Sequence, residues 1–275
     1  MRKPVAKGSF YPSNKEEIKN FISKYIIREN KKKENVKIAI VPHAGYSFSG
    51  KLAAKVIGKI NKKENFIIIG VNHSSLGNKI SISKEDFETP LGIVRNNLEL
   101  SRLLLKKFKE IKIDSDFNEI PHNYEHSIEV ILPFLQESQK NFKIISLLVK
   151  DLSYEECIKI AEIISKLIDD KTCLLVSSDF THYGLVYDFV PFYNNIKENL
   201  YNLDKKVINE ILNLNSKKVY EYAIKTTICG LYGITIATEC AKIKNLRSEL
   251  IDYYTSGDVT KDYNIAVGYA GIIFY

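Results

Sequence analysis

Three short segments of this chain each run from an apolar, strand-like stretch directly into a histidine. They are VKIAIVPHAGY with His43, FIIIGVNHSS with His73 and TCLLVSSDFTHYG with His182. The 275 residues include only five histidines, so three of the five follow predicted strands. Ligand sites of open α/β sheets lie outside the carboxyl ends of the strands, where residues from distant segments converge. The pattern therefore predicts an α/β fold with a metal or acid–base site at the strand ends.

The hydrophobic periodicity elsewhere predicts alternating strands and helices. A nearly continuous apolar run over 66–71 is typical of a central strand in a parallel sheet that is covered on both faces. Capping boxes at Ser13 and Glu16, and at Ser153 and Glu156, mark two helix starts. The other predicted strands are 36–41, 142–149, 172–177, 251–255 and 265–274, and the other predicted helices are 50–60, 98–108, 193–212, 216–224, 231–242 and one from 127. We expect residues 1–275 to form a single α/β domain whose central, mostly parallel sheet is flanked by helices.

The distribution of charged residues along the chain gives no indication of a nucleic-acid partner. The net charge is +7, and it comes mostly from lysines scattered along amphipathic stretches, with small clusters at 31–33 and 62–63. We interpret these clusters as solvated surface, because they lie at predicted helix ends or turns. No Arg-rich or aromatic-interleaved tract indicates nucleic-acid recognition, so we expect no such partner.

The cysteines and the lack of a targeting signal predict the compartment. Four cysteines without a CxxC pair suit a reducing environment. The N-terminus MRKPVAKGSFYP lacks the apolar core of a signal peptide, and no apolar run approaches the roughly 20 residues that span a bilayer. We expect a cytoplasmic protein with no membrane partner.

His43 and His73 are the first candidate metal ligands. His43 lies in PHAGY, where Pro42 ends the strand and Gly45 permits a tight turn. A single histidine at such a position is commonly a structural hydrogen-bonding residue. His73 holds the comparable position after another strand, and two imidazoles at strand ends can share one ion. Neutral imidazole suits iron, zinc and copper.

Asp179 and His182 form an i, i+3 pair in SSDFTHYG. This hydroxyl-rich loop can be a turn whose aspartate caps a following helix. In the functional interpretation, Asp179 orients an imidazole or coordinates the ion, and His182 is a general acid–base or a ligand. Both interpretations remain open at this point.

His126 lies in YEHSIEV, at the start of the helix predicted from 127. Glu125 and Glu129 flank it, and carboxylates there also serve as partners of the helix N-terminus. Two roles stay open for His126, namely contact with substrate or metal-binding residues and a purely structural role. We expect His122, four residues earlier, to lie at the surface.

Cys229 precedes Gly230 in TTICG, at a predicted helix start. A thiolate is stabilised at such a position. Taken alone, however, Cys229 is interpreted as a small buried apolar side chain, as are the other three cysteines.

Five motifs occur in one order along the chain. They are PHAGYSFSG, GVNHS, EHSIEVILPF, SSDFTHYG and TTICG. Together they resemble the Memo family (mediator of cell motility), and the likeness runs from VAKGSFYPS to GYAGI. The resemblance implies a fold like that of class III extradiol dioxygenases, with a pocket for non-haem metal at the strand ends. Some relatives have a second histidine after the one that matches His73, whereas this chain has Ser74.

The family resemblance also implies which residues form the site. The implied metal ligands are His43, His73 and Cys229, and the adjoining catalytic or pocket residues are His182, Asp179 and His126. A set of two histidines and one cysteine is softer than the two-histidine, one-carboxylate set of non-haem iron oxygenases. The resemblance therefore implies Fe(II) or Cu, and Zn also suits these donors.

Two functions are compatible with these residues. The first is a metal-dependent oxidoreductase or dioxygenase-like enzyme that acts on oxygen or a small molecule. The second is a non-catalytic binding module that captures an acidic or phosphorylated peptide in the same pocket, which the net positive charge favours. The resemblance also implies a radical SAM protein as a pathway partner.

Overall fold

A large sheet runs through the middle of the protein, and helices cover both of its faces. The computed structural model describes residues 1–26 and 35–275. The strands are β1 (Ile38–Val41), β2 (Asn65–Val71), β3 (Ile80–Ile82), β4 (Phe87–Thr89), β5 (Gly92–Asn96), β6 (Ser115–Phe117), β7 (Lys143–Val149), β8 (Thr172–Ser177), β9 (His182–Tyr183), β10 (Ser248–Thr255) and β11 (Ala266–Phe274). The helices are α1 (Lys15–Tyr25), α2 (Lys51–Lys59), α3 (Leu98–Glu110), α4 (Glu119–Tyr124), α5 (Leu132–Ser138), α6 (Tyr154–Ser165), α7 (Ile196–Leu212), α8 (Ser216–Ala223), α9 (Leu231–Ile243) and α10 (Ser256–Thr260).

The strand order places the predicted site at one edge of the sheet. The order is β10-β11-β1-β8-β2-β7-β3-β6, and the four central strands β1, β8, β2 and β7 are parallel. β11 and β10 on one side, and β3 on the other, extend the sheet through antiparallel pairs. The α/β fold with a central sheet and flanking helices is as predicted, and its parallel part is the centre. The carboxyl ends of β1, β8 and β2 therefore open at the same edge.

The central strands are buried on both faces because their side chains alternate between two cores. Ile38 and Ile40 of β1 pack into the core beneath α3, α6, α7, α8 and α9, whereas Ala39 and Val41 pack into the core beneath α1, α2 and α5. β2 alternates in the same way. A strand with two covered faces needs apolar residues at every position, which explains the continuous apolar runs in the sequence.

Several local predictions can be compared with the structure. β8 has the predicted bounds, and the capping box of Ser153 and Glu156 is present at the start of α6. The capping box at Ser13 is wrong, because Asn14 is the N-cap of α1 and its side chain accepts the N–H groups of Glu16 and Glu17. β3, β4, β5 and β6 were not predicted, since strands of three to five residues carry little periodic signal.

Two polar residues expected at the surface are buried. Lys63 is 1% exposed, and its ammonium donates to Asn35 Oδ1 and to the Asp170 carbonyl. His122 is also 1% exposed, with Nε2 3.0 Å from the Ser81 carbonyl oxygen. Both predictions were wrong because a specific carbonyl partner meets each side chain inside the protein. The lysine cluster at 31–33 lies outside the described residues.

A buried ion pair ties the start of the chain to the segment that follows α4. The side chains of Arg2 and Glu129 pair with no solvent exposure. Arg2 also donates to the carbonyls of His122 and Glu125. Glu129 is thus not a partner of a helix N-terminus, as its position in the sequence suggested. It accepts the N–H groups of Val5 and Ala6 and the Tyr11 hydroxyl as well, so one carboxylate organises the first eleven residues.

We expect Arg2→Met to lower the free energy of unfolding by about 3–5 kcal/mol, because it leaves the Glu129 carboxylate buried and unpaired. Urea denaturation measures this loss. The matched control is Lys3→Met, whose pair with Glu88 leaves 67% of the lysine side chain exposed. That variant should lose less than about 1 kcal/mol. Equal losses in the two variants would contradict the assignment of Arg2 as a structural anchor.

A second prediction concerns the pH dependence of stability. Burial lowers the pKa of His122 from 6.5 to about 4. Between these two values the unfolded state binds the proton more strongly, so stability is fully present above pH 6.5 and is lost as the pH falls towards 4. The free energy of unfolding should fall by about 3 kcal/mol over this pH range because of His122. In urea titrations at several pH values, His122→Gln should lack this component, and a constant difference between variant and wild type would refute it.

Candidate metal centre

Three histidines converge where the parallel strands end. His43 follows β1, His73 follows β2, and His126 lies in the loop after α4. Their candidate ligand nitrogens all lie within 4.8 Å of one another. The ring centroids of His43 and His73 are 5.6 Å apart, and the His126 ring stacks on that of His73 at 5.0 Å. In the sheet, β8 lies between β1 and β2, so His43 and His73 come from strands on either side of β8.

Two serines orient the His43 ring. Nδ1 of His43 lies 2.8 Å from Ser177 Oγ, and the Ser177 hydroxyl donates to the Ser127 carbonyl at 2.6 Å. Because the Ser177 hydroxyl hydrogen is already used in the hydrogen bond to Ser127, Nδ1 of His43 must be the donor to Ser177. The neutral ring then keeps its lone pair on Nε2. This is the nitrogen that faces the site, 3.6 Å from Cys229 Sγ.

One buried carboxylate orients the other two rings. Glu125 contacts Nδ1 of His73 at 3.0 Å and Nδ1 of His126 at 3.2 Å. It also accepts the backbone N–H groups of His73, His126 and Ser127. A carboxylate only accepts hydrogen bonds, so the Nδ1 atom of His73 carries a hydrogen. In the neutral ring the Nε2 lone pair therefore remains free, an arrangement that is common behind metal-binding histidines.

Cys229 adjoins His43 from a different part of the chain. It lies just before α9, and its sulfur accepts the Asp179 N–H at 3.2 Å. Gly230 permits this approach, because a Cβ at that position would lie 2.4 Å from the Cβ of Ser178. Burial alone would raise the pKa of the Cys229 thiol, but the charge of His43 and hydrogen bonds with His43 and His73 lower it to about 5. The two histidines therefore favour the thiolate form of this side chain.

The electrostatics of the cluster favour positive charge between its acidic groups. Burial opposes protonation of His73, yet hydrogen bonds with Cys229 and Glu125 raise its pKa to about 10. The pKa of His43 is raised in spite of complete burial, mainly by Asp179 and Cys229. The pKa of Glu125 is far below its usual range, against the effect of burial, because it is hydrogen-bonded to His126 and His73. Protons on His43 and His73 thus supply positive charge that a bound metal ion could supply instead.

Asp179 and His182 lie beside the histidine cluster without belonging to it. Asp179 caps no helix; its Oδ1 accepts the N–H groups of His43 at 2.9 Å and Ala44 at 3.3 Å, which fixes the turn after β1. His182 lies in β9, and its backbone N–H donates to Thr227 Oγ1. Its Nδ1 lies 3.1 Å from the Thr227 carbonyl oxygen. Among the described residues, no hydrogen bond reaches the other nitrogen of the ring.

These residues border one cavity of about 640 Å³. His43, His73, His126, Asp179 and His182 all line it. The rest of its wall includes the aromatic and aliphatic side chains of Phe10, Phe48, Tyr187, Ile265, Val267 and Tyr269, together with the polar residues Ser256, Thr260 and Asp262. A more open cleft of about 780 Å³ near the start of α7 contains none of the candidate site residues, so we place the chemistry in the smaller cavity.

Sequence reasoning did not assign orienting roles to Glu125 and Ser177. Glu125 was interpreted only as a possible partner of a helix N-terminus, and Ser177 was not singled out. A signal for Ser177 does exist in the sequence, because it is a serine directly after the apolar run over 173–176. Glu125 has no comparable signal, since its three N–H partners and two rings come together only in the fold.

Comparison with known proteins identifies the family. The family model described as Memo-like protein matches residues 2–273. The chain belongs to the Memo family. It is 37% identical over 279 residues to a MEMO1 family protein of Archaeoglobus fulgidus, with 100% of this chain and 99% of that protein covered. It is 35% identical to a relative in Aquifex aeolicus, with 100% and 99% covered, and 34% identical to one in Methanosarcina mazei, with 99% and 98% covered.

A solved structure supports the architecture of this Memo family member. The crystal structure of an uncharacterised protein from Escherichia coli K12 matches with a TM-score of 0.60, covering 86% of this chain and 99% of that one. Only 9% of the aligned residues are identical, so the likeness shows the fold alone. Among the described residues, no helix is long and apolar enough to cross a membrane.

Proposed function

We propose that this Memo family protein is a metal-dependent oxidoreductase that holds Fe(II) or Cu at the histidine cluster. The observation that carries the proposal is the convergence of His43, His73 and His126, whose candidate ligand nitrogens lie within 4.8 Å of one another. Hydrogen bonds from the opposite nitrogens orient His43 and His73 towards the site. The reaction would act on oxygen or a small molecule in the adjoining cavity.

The donor chemistry fits a transition metal. Histidine nitrogens bind zinc at about 2.1 Å, so two ligands of one ion lie roughly 3–4 Å apart, close to the spacing of this cluster. Imidazole and thiolate suit iron, copper and zinc, whereas magnesium and calcium require oxygen ligands. No carboxylate belongs to the described cluster at ligand distance, so it differs from the facial triad of non-haem iron oxygenases.

His43 and His73 belong to every ligand set that we propose. The family resemblance implies Cys229 as the third ligand, whereas the third member of the group at ligand distance is His126, and Cys229 is not part of that group. A bound Fe or Cu ion would supply one-electron redox chemistry. His182 would accept or return a proton through its free ring nitrogen, and Asp179 would hold the backbone of His43 in place.

The lining of the cavity argues against capture of an acidic or phosphorylated peptide. None of the described residues that line the cavity is a lysine or an arginine, although the chain carries a net charge of +7. A phosphate group would thus find no lysine or arginine there, and the positive charge of His43 and His73 is already paired with Cys229 and Glu125. We therefore prefer the enzyme over the binding module. A cytoplasmic location, a single domain over 1–275, a likeness to class III extradiol dioxygenases and a radical SAM partner remain predictions.

The first test is metal content after anaerobic purification. The wild-type protein should contain close to one Fe or Cu ion per chain by elemental analysis, and the His43→Ala, Cys229→Ala double variant should contain almost none. Cys229→Ala and His126→Ala alone identify the third ligand, since only loss of a true ligand should release most of the metal. Equal metal content in the wild type and the double variant would refute the proposal.

The second test removes the charge of the orienting carboxylate. We expect Glu125→Gln to weaken metal binding about 10- to 100-fold, because the amide has one acceptor oxygen for two imidazoles and three backbone N–H groups. Competition with a chelator of known affinity measures the change. The matched control is Glu119→Gln in α4, whose carboxylate accepts hydrogen bonds from Ser83 and Lys84 instead. Equal affinities in the two folded variants would show that Glu125 does not position the ligands.

A further inference from the structure

The cavity offers hydrogen-bond acceptors and negative charge at its polar end. Asp179 and Asp262 are its charged lining residues apart from the histidines, and none of the described lining residues is a lysine or an arginine. His182 donates from Nδ1 to the Thr227 carbonyl, so only its other ring nitrogen is left for a ligand. A ligand that donates hydrogen bonds therefore suits the part of the lining around Asp179.

Asp179 has one carboxylate oxygen available to such a ligand. The residue is only 4% exposed, and its Oδ1 is occupied by the N–H groups of His43 and Ala44. Among the described residues, no hydrogen bond reaches its Oδ2. A donor that enters the cavity can therefore form a strong, charge-assisted hydrogen bond with this oxygen. Asp179 is also outside the group of side chains at metal-ligand distance.

The apolar part of the lining suits a flat apolar body. Phe10, Phe48 and Tyr187 present aromatic rings, and Ile265 and Val267 add aliphatic surface. Phe10 packs against His126 with the two rings tilted and their centroids 4.3 Å apart. Aromatic faces also attract cations, which adds to the preference set by Asp179. A volume of about 640 Å³ is within the usual range for small-molecule sites.

We propose that the cavity binds a small molecule with a flat apolar body and an amine group, and that the amine donates to Asp179 Oδ2. The inference rests on the proposed function in taking this cavity as the substrate site, but it requires no metal for its test. Within this proposal, Asp179 is the residue that selects the charge of the ligand.

The experiment compares three probes that share a phenylethyl group and differ in their polar group. 2-Phenylethylamine, 2-phenylethanol and 3-phenylpropionate are titrated into metal-free full-length protein by isothermal calorimetry. The amine should bind about tenfold more tightly than the alcohol, and the anion should bind most weakly. An anion that binds as tightly as the amine, or an amine that does not bind at millimolar concentration, overturns the inference.

Asp179→Asn provides the matched variant, because its carbonyl oxygen still accepts the two backbone N–H groups. It should weaken amine binding about tenfold and leave the alcohol nearly unchanged. The control Asp262→Asn changes a carboxylate on the exposed rim and should alter binding less than about twofold. Unchanged amine affinity in folded Asp179→Asn overturns the inference, and if that variant does not fold, the ranking of the three probes on wild type decides.

The outcomes also separate this inference from the proposed function. Metal in the wild-type protein together with no amine binding refutes only the ligand class. Amine binding together with equal metal content in the wild type and the His43→Ala, Cys229→Ala variant supports the ligand class and refutes the metal-dependent enzyme.

Discussion

The Glu125 carboxylate is the interaction on which the candidate site depends. It accepts three backbone N–H groups and contacts the rings of His73 and His126, so it sets both the path of two loops and the orientation of two imidazoles. Its own backbone is held by Arg2, which is buried against Glu129. The first residues of the chain thus support the loop of the site that lies more than a hundred residues later. Such coupling is expected wherever buried charges must be fully paired.

The balance of charge explains why this arrangement suits a cation. Glu125, Asp179 and the Cys229 thiolate bring negative charge to a poorly solvated region, and the raised pKa values of His43 and His73 are the response. A metal ion would replace these protons and compensate the same acidic groups. The cavity beyond the histidines has no basic side chain among its described lining residues, so its charge balance depends on the histidines and on whatever binds them.

Several parts of the fold could be predicted because their signals are local. The apolar runs of β2, β7 and β8 and the periodicity of α3, α7, α8 and α9 are visible in short windows, and the structure has these elements close to the predicted bounds. The short strands β3 to β6 lack such a signal. The burial of His122 and Lys63 also has no local signal. Each polar side chain is buried because it meets a carbonyl group from a distant part of the chain.

By itself, the sequence determined the α/β class, the placement of His43 and His73 at strand ends and, through its motifs, membership of the Memo family. Local patterns suffice for these features because hydrophobic periodicity and strand-terminal residues are encoded within a few positions. Only the tertiary structure decided that β8 lies between β1 and β2, that His126 stacks on His73, and that Glu125 and Ser177 orient the rings. Those features depend on contacts between residues 50 to 134 positions apart, whose hydrogen bonds form only once the sheet is assembled.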